Sequence, residues 1–408
     1  MSKLARLLPS LVIALVAQTA AAFADSDTPA ARLATRPFPS IFEAWNPAEN
    51  LHPASGAVTP LANVETPDVT LARHDFAFIP WRGLGLRTDT PGVAATDYTQ
   101  GSVRTALKRR AAILKLNPHF VLLAAIPYRT ASLSQSGIPA DSPWWKRNAS
   151  GQLVRANAAQ DNDVTFLDFG KPEYQDHLAD QCRALVQTGV FDGCMFDWWS
   201  ERLPNEPVDP DGVYRLQLIK KVRAAIGEDA LIIGNTNDHI PEATAPYLNG
   251  MYMEGFGAKY FADWRKAAAD LAWGRTHLKK PAITLLEGWW QTTSRDDLKL
   301  MREVTTLALT HSDGDVLFAD PNSHQPNHAH DWYPFWDHSL GRPTGPVAQK
   351  GPPGSFQREF EKGSAIFNPP ENAPVKAHFN DARVSAATGK SGTDFEIEAG
   401  DGDLFLKR

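Results

Sequence analysis

Eight short apolar runs alternate with stretches of helical periodicity over about 285 residues of this 408-residue chain, and that alternation constrains its fold more than any other feature. The runs are Phe38 to Trp45, Phe76 to Trp81, Phe120 to Pro127, Val190 to Asp197, Leu231 to Asn235, Gly250 to Glu254, Ala282 to Glu287 and Val316 to Asp320. Parallel neighbouring strands need a crossover of about a dozen residues or more, and eight such units satisfy a (β/α)8 TIM barrel. A doubly wound sheet is the competing arrangement; no Gly-rich phosphate loop follows the first strands, which counts against it. Among the helices, Ser102 to Leu116 carries a stripe of Val103, Leu107, Ala111 and Leu114. Asp211 to Ile226 is opened by an N-cap and closed by Gly227, and a third helix begins at the capping-box pattern of Ser294 and Asp297. The barrel is expected over 37–345, with an insertion, 130–168, after the third strand. Beyond Gly345 the Gly351-Pro352-Pro353-Gly354 punctuation introduces short β-like pieces, which predict a small C-terminal antiparallel β domain over 346–408.

Residues 1–24 read as a secretory signal: Lys3 and Arg6 precede the apolar run Leu7 to Ala22, and Ala22-Phe23-Ala24 offers a small-x-small cleavage site. A polar linker, 25–36, follows. No later segment is apolar enough to span a bilayer, so the expected product is exported, periplasmic or extracellular. Only two cysteines occur, Cys182 and Cys194. Cys182 lies on the apolar face of a helix with Tyr174, Leu178 and Leu185, and Cys194 lies in the next strand, so a disulfide or two buried thiols are both compatible with the pattern.

A net charge of −6 with no basic patch argues against a nucleic-acid partner. In a barrel of this kind the active site is built at the carboxyl ends of the strands. Those ends are acidic here: Asp197 on the fourth, Glu254 on the sixth, Glu287 on the seventh and Asp320 on the eighth, with Asn235 on the fifth. A carboxylate that ends an apolar strand is poorly explained by core packing, because its charge must be solvated or paired. Strand alternation turns Asp197 inward with Met195 and Glu254 inward with Tyr252, whereas Asp192, at the start of its strand, belongs to the opposite rim. Two carboxyl groups facing one another across a mouth are the minimum apparatus for cleaving a glycosidic bond. Asp197 is expected as nucleophile or base and Glu254 as the acid, with the reverse assignment open.

Most of the twelve tryptophans fall at or just past strand ends or in the loops above them: Trp81, Trp198, Trp199, Trp289, Trp290, Trp332 and Trp336, with Trp144 and Trp145 in the insertion. Indole faces suit the C–H faces of sugar rings. Trp81, Trp198, Trp199, Trp289 and Trp332 are therefore expected in substrate binding, with Arg129, Asp168, Asn235, Glu287 and Asp320 for the hydroxyls. The expected partner is a carbohydrate. No cofactor motif is present and no metal ligands are assigned. The cluster His324, His328, His330 and His338 beside Asp331 supports a minority reading as a metal-dependent hydrolase, and a carbohydrate receptor without turnover is the other alternative.

At Phe191-Asp192-Gly193-Cys194-Met195-Phe196-Asp197 the chain resembles the barrel glycoside hydrolases akin to the endo-α-1,4-polygalactosaminidase family, and more distantly the α-amylase superfamily. The similarity extends through Asp168-Phe169-Gly170-Lys171-Pro172-Glu173-Tyr174, Met253-Glu254, Trp332-Tyr333-Pro334-Phe335-Trp336-Asp337, Leu340-Gly341-Arg342-Pro343, Arg358-Glu359-Phe360 and Asn368-Pro369. It implies a (β/α)8 fold, an Asp on the fourth strand, matched by Asp197, and a later-strand Glu, matched by Glu254. The amylase pattern places Glu on the fifth strand, where this chain has Asn235, so amylase-type retention and α-glucan specificity do not transfer.

Overall fold

The computed structural model describes residues 28–45, 65–89, 95–157, 161–201, 207–209, 211–257, 262–290, 297–319, 328 and 330–408. The signal, 1–24, lies outside them. The chain runs α1 (Pro29–Thr35), β1 (Phe42–Ala44), α2 (Pro67–Leu71), β2 (Phe76–Pro80), α3 (Gln100–Leu116), β3 (Val121–Ile126), β4 (Thr130–Ser132), β5 (Arg155–Asn157), β6 (Asp161–Phe166), α4 (Pro172–Gln187), β7 (Gly193–Phe196), α5 (Val213–Ile226), β8 (Leu231–Asn235), β9 (Gly250–Phe256), α6 (Trp264–His277), β10 (Ile283–Trp289), α7 (Leu298–His311) and β11 (Asp315–Ala319). Strands β1, β2, β3, β7, β8, β9, β10 and β11 pair in that order, all parallel. A parallel bridge from Ile41 to Val316 joins the last strand to the first, so the sheet closes as a (β/α)8 barrel. All eight expected strands are present.

Residue alternation along these strands builds two cores. Inside the barrel lie Phe42, Phe76, Phe78, Leu123, Met195, Ile233, Tyr252, Leu285 and Leu317, all buried; Cys194 and Phe196 belong instead to the layer between strands and helices. Helix α4 presents Tyr174, Leu178, Cys182 and Leu185 to that layer, as its periodicity predicts, and Cys182 is disulfide-bonded to Cys194 across it. Close strand approach also explains Gly193: a Cβ there would lie 1.8 Å from the carbonyl oxygen of Leu231.

Several expectations need correction. Helix α3 buries Ala106, Arg110 and Ile113; of the predicted stripe, Val103 and Leu114 pack partly buried against the core, while Leu107 and Ala111 are exposed. A cation defines that face, because Arg110 crosses the layer to the carbonyl of Val190 (2.6 Å) and to Asp192 (2.6 Å). Helix α5 starts at Val213, and its first turn is capped from a distance by Asp209, which accepts from the amides of Tyr214 and Arg215 at 3.0 and 2.8 Å. Helix α7 starts at Leu298 with Asp297 itself as N-cap; Ser294 lies outside the described residues. The described part of the expected linker is helix α1, and it closes the amino-terminal end of the barrel. Leu33 joins the interior core, Arg32 pairs with Asp192, and Arg36 pairs with Asp315 at 3.2 Å.

The insertion folds as a three-stranded antiparallel sheet ordered β4, β6, β5. After the barrel come β12 (Phe356–Phe360), β13 (Gly363–Asn368), β14 (Val375–Ser385), β15 (Ser391–Ile397) and β16 (Asp401–Lys407), an antiparallel sheet ordered β12, β13, β16, β14, β15. It is fixed to α7 by Arg302, which grips Asp401 through two bonds of 2.9 and 2.8 Å, and by Arg358, which donates to the carbonyls of Leu309 and Ser312. No helix among the described residues is long and apolar enough to cross a membrane.

Asp192 holds two buried guanidinium groups, those of Arg32 and Arg110, and also accepts from the amide of Leu122 at 2.9 Å. Removing one partner of a buried charged cluster leaves the others uncompensated. Asp192→Ala is expected to lower the unfolding free energy by about 3–5 kcal/mol, read from the urea midpoint.

Candidate active site

Four consecutive barrel strands deliver the acidic mouth. Asp197 directly follows β7, Asn235 ends β8, Glu254 lies near the end of β9 and Glu287 near the end of β10. The Asn235 side chain joins the first three: its Nδ2 donates to Asp197 Oδ1 at 2.8 Å and to Glu254 Oε2 at 2.6 Å. Its own Oδ1 accepts the backbone N–H of Asn237 at 3.2 Å, which fixes which end of the amide faces the acids. Laid end to end, the two bonds cap the separation of the bridged oxygens at about 5.4 Å, short of the separation of about 6.5–9.5 Å at which two carboxyl groups leave room for a water between base and sugar.

A second set of bonds fixes Glu287. Tyr252 donates its hydroxyl to Glu287 Oε2, and His328 Nδ1 lies 2.9 Å from Glu287 Oε1. The other ring nitrogen of His328 faces Glu254 at 3.8 Å. Tyr252 is anchored from below by the barrel's aromatic core, 5.0 Å from the Phe78 ring and 5.8 Å from Phe42.

Burial raises both acids of the pair, each against a different set of neighbours. Glu254, 4% exposed, is raised from 4.5 to about 7, first by burial and then by Glu287 and Asp197, with His328 and the Asn235 bond opposing. Asp197 is also raised by burial, but the Asn235 bond, the Trp198 amide, His328 and Arg129 all favour its charged form. Burial opposes protonation of His328, yet Glu287, Glu254 and Asp197 together raise its pKa.

Above Asp197 opens a cavity of about 410 Å³, whose described lining includes Trp45, Trp81, Tyr128, Arg129 and Trp198. Trp198 is 39% exposed, with a left-handed backbone (φ 49°). Its carbonyl is held by Tyr128 Oη at 3.1 Å and by the buried Arg215 at 3.3 Å, while the Arg129 guanidinium lies 5.1 Å from its ring centre. Strain of this sort persists only where surrounding contacts over-determine it.

The tryptophan expectation is corrected in part. Trp199 is fully buried: its ring packs on Phe196 and Tyr128, its Nε1 bonds Thr244, and it fills the space that a side chain on Gly234 would need. Trp289 has no exposure and lies 6.1 Å from the His328 ring, a wall behind the site. Trp332 is held away from the mouth between Trp336 and His74, with its Nε1 on Asp337. Asp168 pairs with Lys146 at 3.8 Å in the insertion and does not line the cavity. Asp320 and His324 lie outside the described residues. Trp45, not selected from sequence, lines the cavity; it ends the first apolar run, where the strand-end argument would have found it.

The histidine loop does not gather into one cluster. His328 enters the mouth, where its ring and the carboxylates of Glu254 and Glu287 lie close enough together to form a metal-ligand group. His330 turns outward to Glu43 and His74.

Residues 125–364 match the family described as hypothetical glycosyl hydrolase family 15. The chain belongs to that family. Its class of activity is the hydrolysis of glycosidic bonds, and the matched span holds Asp197, Asn235, Glu254, Glu287 and His328. Among solved structures, similarity extends to the maltogenic α-amylase AmyB of Thermotoga neapolitana (11% identity over 90% of this chain and 99% of that one, TM-score 0.53). It extends also to Amy13B of Eubacterium rectale (8%, 92% and 98%, TM-score 0.55) and an α-amylase of Malbranchea cinnamomea (10%, 93% and 97%, TM-score 0.54). At such identities the likeness is one of fold. No curated protein matches the chain.

Because Glu254 binds its proton more tightly folded than unfolded, its contribution to stability is full below pH 4.5 and is lost as pH rises through about 7. Glu254→Gln keeps the shape and removes that penalty. It is expected to raise stability by on the order of 1–3 kcal/mol at pH 8 relative to its effect at pH 4.5, measured by denaturation at the two pH values.

Proposed function

We propose that the protein is an exported glycoside hydrolase that cleaves an oligo- or polysaccharide with retention of configuration, Asp197 acting as nucleophile and Glu254 as general acid and then base. The observation that carries this reading is the pair of carboxyl oxygens bound to one Asn235 amide at 2.8 and 2.6 Å. At that spacing there is no room for the water that inversion places between the general base and the anomeric carbon.

Glu254, held protonated up to about pH 7, gives its proton to the glycosidic oxygen as the C–O bond breaks. The Asp197 carboxylate attacks the anomeric carbon to form a glycosyl ester. Glu254, now charged, takes a proton from water, whose oxygen displaces Asp197 and regenerates both groups. Asn235 orients both acids throughout. Tyr252, Glu287 and His328 form the floor that keeps Glu254 from sharing its charge with solvent. The exposed face of Trp198 offers the stacking platform, and Arg129 beside it a hydroxyl donor. Export is supported by the 1–24 segment and by the Cys182–Cys194 disulfide, a bond that persists in oxidising compartments.

Asp197→Gly is expected to lower kcat at least about 10³-fold and to regain turnover with azide, releasing a glycosyl azide of inverted configuration. Glu254→Ala should lose activity on natural linkages yet form the glycosyl enzyme from substrates with a good leaving group. NMR of the first product anomer tests retention directly; an inverted product, or full activity in both variants, overturns the mechanism. The alkaline limb of kcat/KM is expected near pH 7, because deprotonated Glu254 has no proton to give. Trp198→Ala is expected to raise KM about tenfold with little change in kcat, the result of losing about 1.4 kcal/mol of stacking made equally in ground and transition states.

A further inference from the structure

On the outer side of the first barrel strand, away from the mouth, three chemically matched side chains meet with no part in the mechanism above. Glu43 lies on β1 between the inward-facing Phe42 and Ala44 and so points out of the barrel. His74 stands just before β2, and His330 comes from the segment after β11. All three have zero exposure. His74 Nε2 lies 2.8 Å from His330 Nε2 and 3.4 Å from Glu43 Oε2, and His330 Nε2 lies 3.7 Å from the same oxygen.

We propose that Glu43, His74 and His330 form a binding site for a divalent transition metal, zinc by its ligand set, that ties the segment after the eighth strand to the outside of the first.

Donor atoms about 2.0–2.1 Å from a tetrahedral zinc stand about 3.3 Å from one another, and the three separations here bracket that value. Two imidazole nitrogens and one carboxylate oxygen make a set that suits zinc. The orientation of His74 agrees: its Nδ1 faces the carbonyl of Leu71 at 3.4 Å, which calls for the proton on Nδ1 and leaves a lone pair on Nε2. A ring nitrogen that donates to a backbone carbonyl while the other binds the ion is the usual outer-shell arrangement of a zinc-bound histidine. The backbone carrying His74 is itself fixed, since Asn117 donates to its carbonyl at 2.9 Å. The Trp332 ring, edge-on to His74 at 5.5 Å, closes an apolar wall over the group.

Position gives the site its consequence. His330 is two residues from His328, which reaches Glu287 and Glu254 in the mouth. The ion would pin one histidine of this pair behind the barrel wall and thereby position the other inside it. His328 is then a residue positioned by the metal rather than a ligand to it.

The test uses the full chain, purified without a metal-affinity step, stripped with chelator and titrated with Co2+ and Zn2+. The expected result is one equivalent of Co2+ with the strong visible absorption of four-coordinate geometry, displaced by Zn2+, and a rise in Tm with Zn2+. Glu43→Gln keeps the volume and is expected to weaken binding at least about tenfold and to reduce that rise; His74→Ala and His330→Ala should abolish binding, with circular dichroism reporting whether they fold. Glu287→Gln, in the mouth, should bind as the wild type does. Absence of both the absorption and the Tm response in the wild type overturns the proposal, as does loss of binding in Glu287→Gln with its retention in Glu43→Gln, which would move the ion to the mouth.

Discussion

Both carboxylates of the candidate pair depend on one side-chain amide. Nδ2 of Asn235 lies between Asp197 and Glu254 and donates to each, while the Asn237 amide holds the opposite end of the group in place. An amide supplies two donors and no charge, so it fixes two acids without deciding which of them keeps a proton. Their surroundings differ: Glu254 has almost no access to water and two further carboxyl groups nearby, whereas Asp197 stands at the cavity wall with Arg129 beside it. A charged donor in place of Asn235 would have favoured the ionised form of both groups.

The barrel makes this arrangement stiff. Tyr252 is packed by Phe42 and Phe78 in the interior, and its hydroxyl reaches Glu287, so the core and the acidic floor share a side chain. On the other side, Arg215 is completely buried yet holds both the Trp198 carbonyl and the Tyr128 hydroxyl, which keeps an exposed indole in a left-handed turn over Asp197. The exposed indole of Trp198 and the Asp197 carboxylate are therefore positioned by the same turn.

Charge is used differently at the two ends of the cylinder. At the mouth, Asp197, Glu254 and Glu287 crowd around the Asn235 amide and the His328 ring. At the foot, Asp192 and Asp315 meet Arg32, Arg36 and Arg110, and these ion pairs draw helix α1 across the opening. The carboxylates of Asp192 and Asp197, five positions apart and flanking β7, belong to these two regimes because the strand crosses the barrel wall between them.

The eight strands were legible because apolar runs and helical spacing are local properties, and the placement of Asp197, Asn235, Glu254 and Glu287 at one end followed from the polarity of parallel strands. The inward parity of Met195 and Tyr252 was legible for the same reason. Spacing could not show that Leu107 faces water, since the buried side of α3 is set by an arginine reaching a distant aspartate. Nor could it tell Trp198 from Trp199: adjacent indoles differ only in what the turn and the Gly234 space leave for each. The histidine loop is the clearest case, for His328 and His330 are two residues apart and face opposite sides of a wall that exists only once β1 and β11 have closed. Sequence alone determined the barrel, the rim and the acidic residues on it, because those follow from periodicity and chain direction. Tertiary structure decided which acid is buried, which indole is open and which histidines meet, because each depends on contacts between segments far apart in the chain.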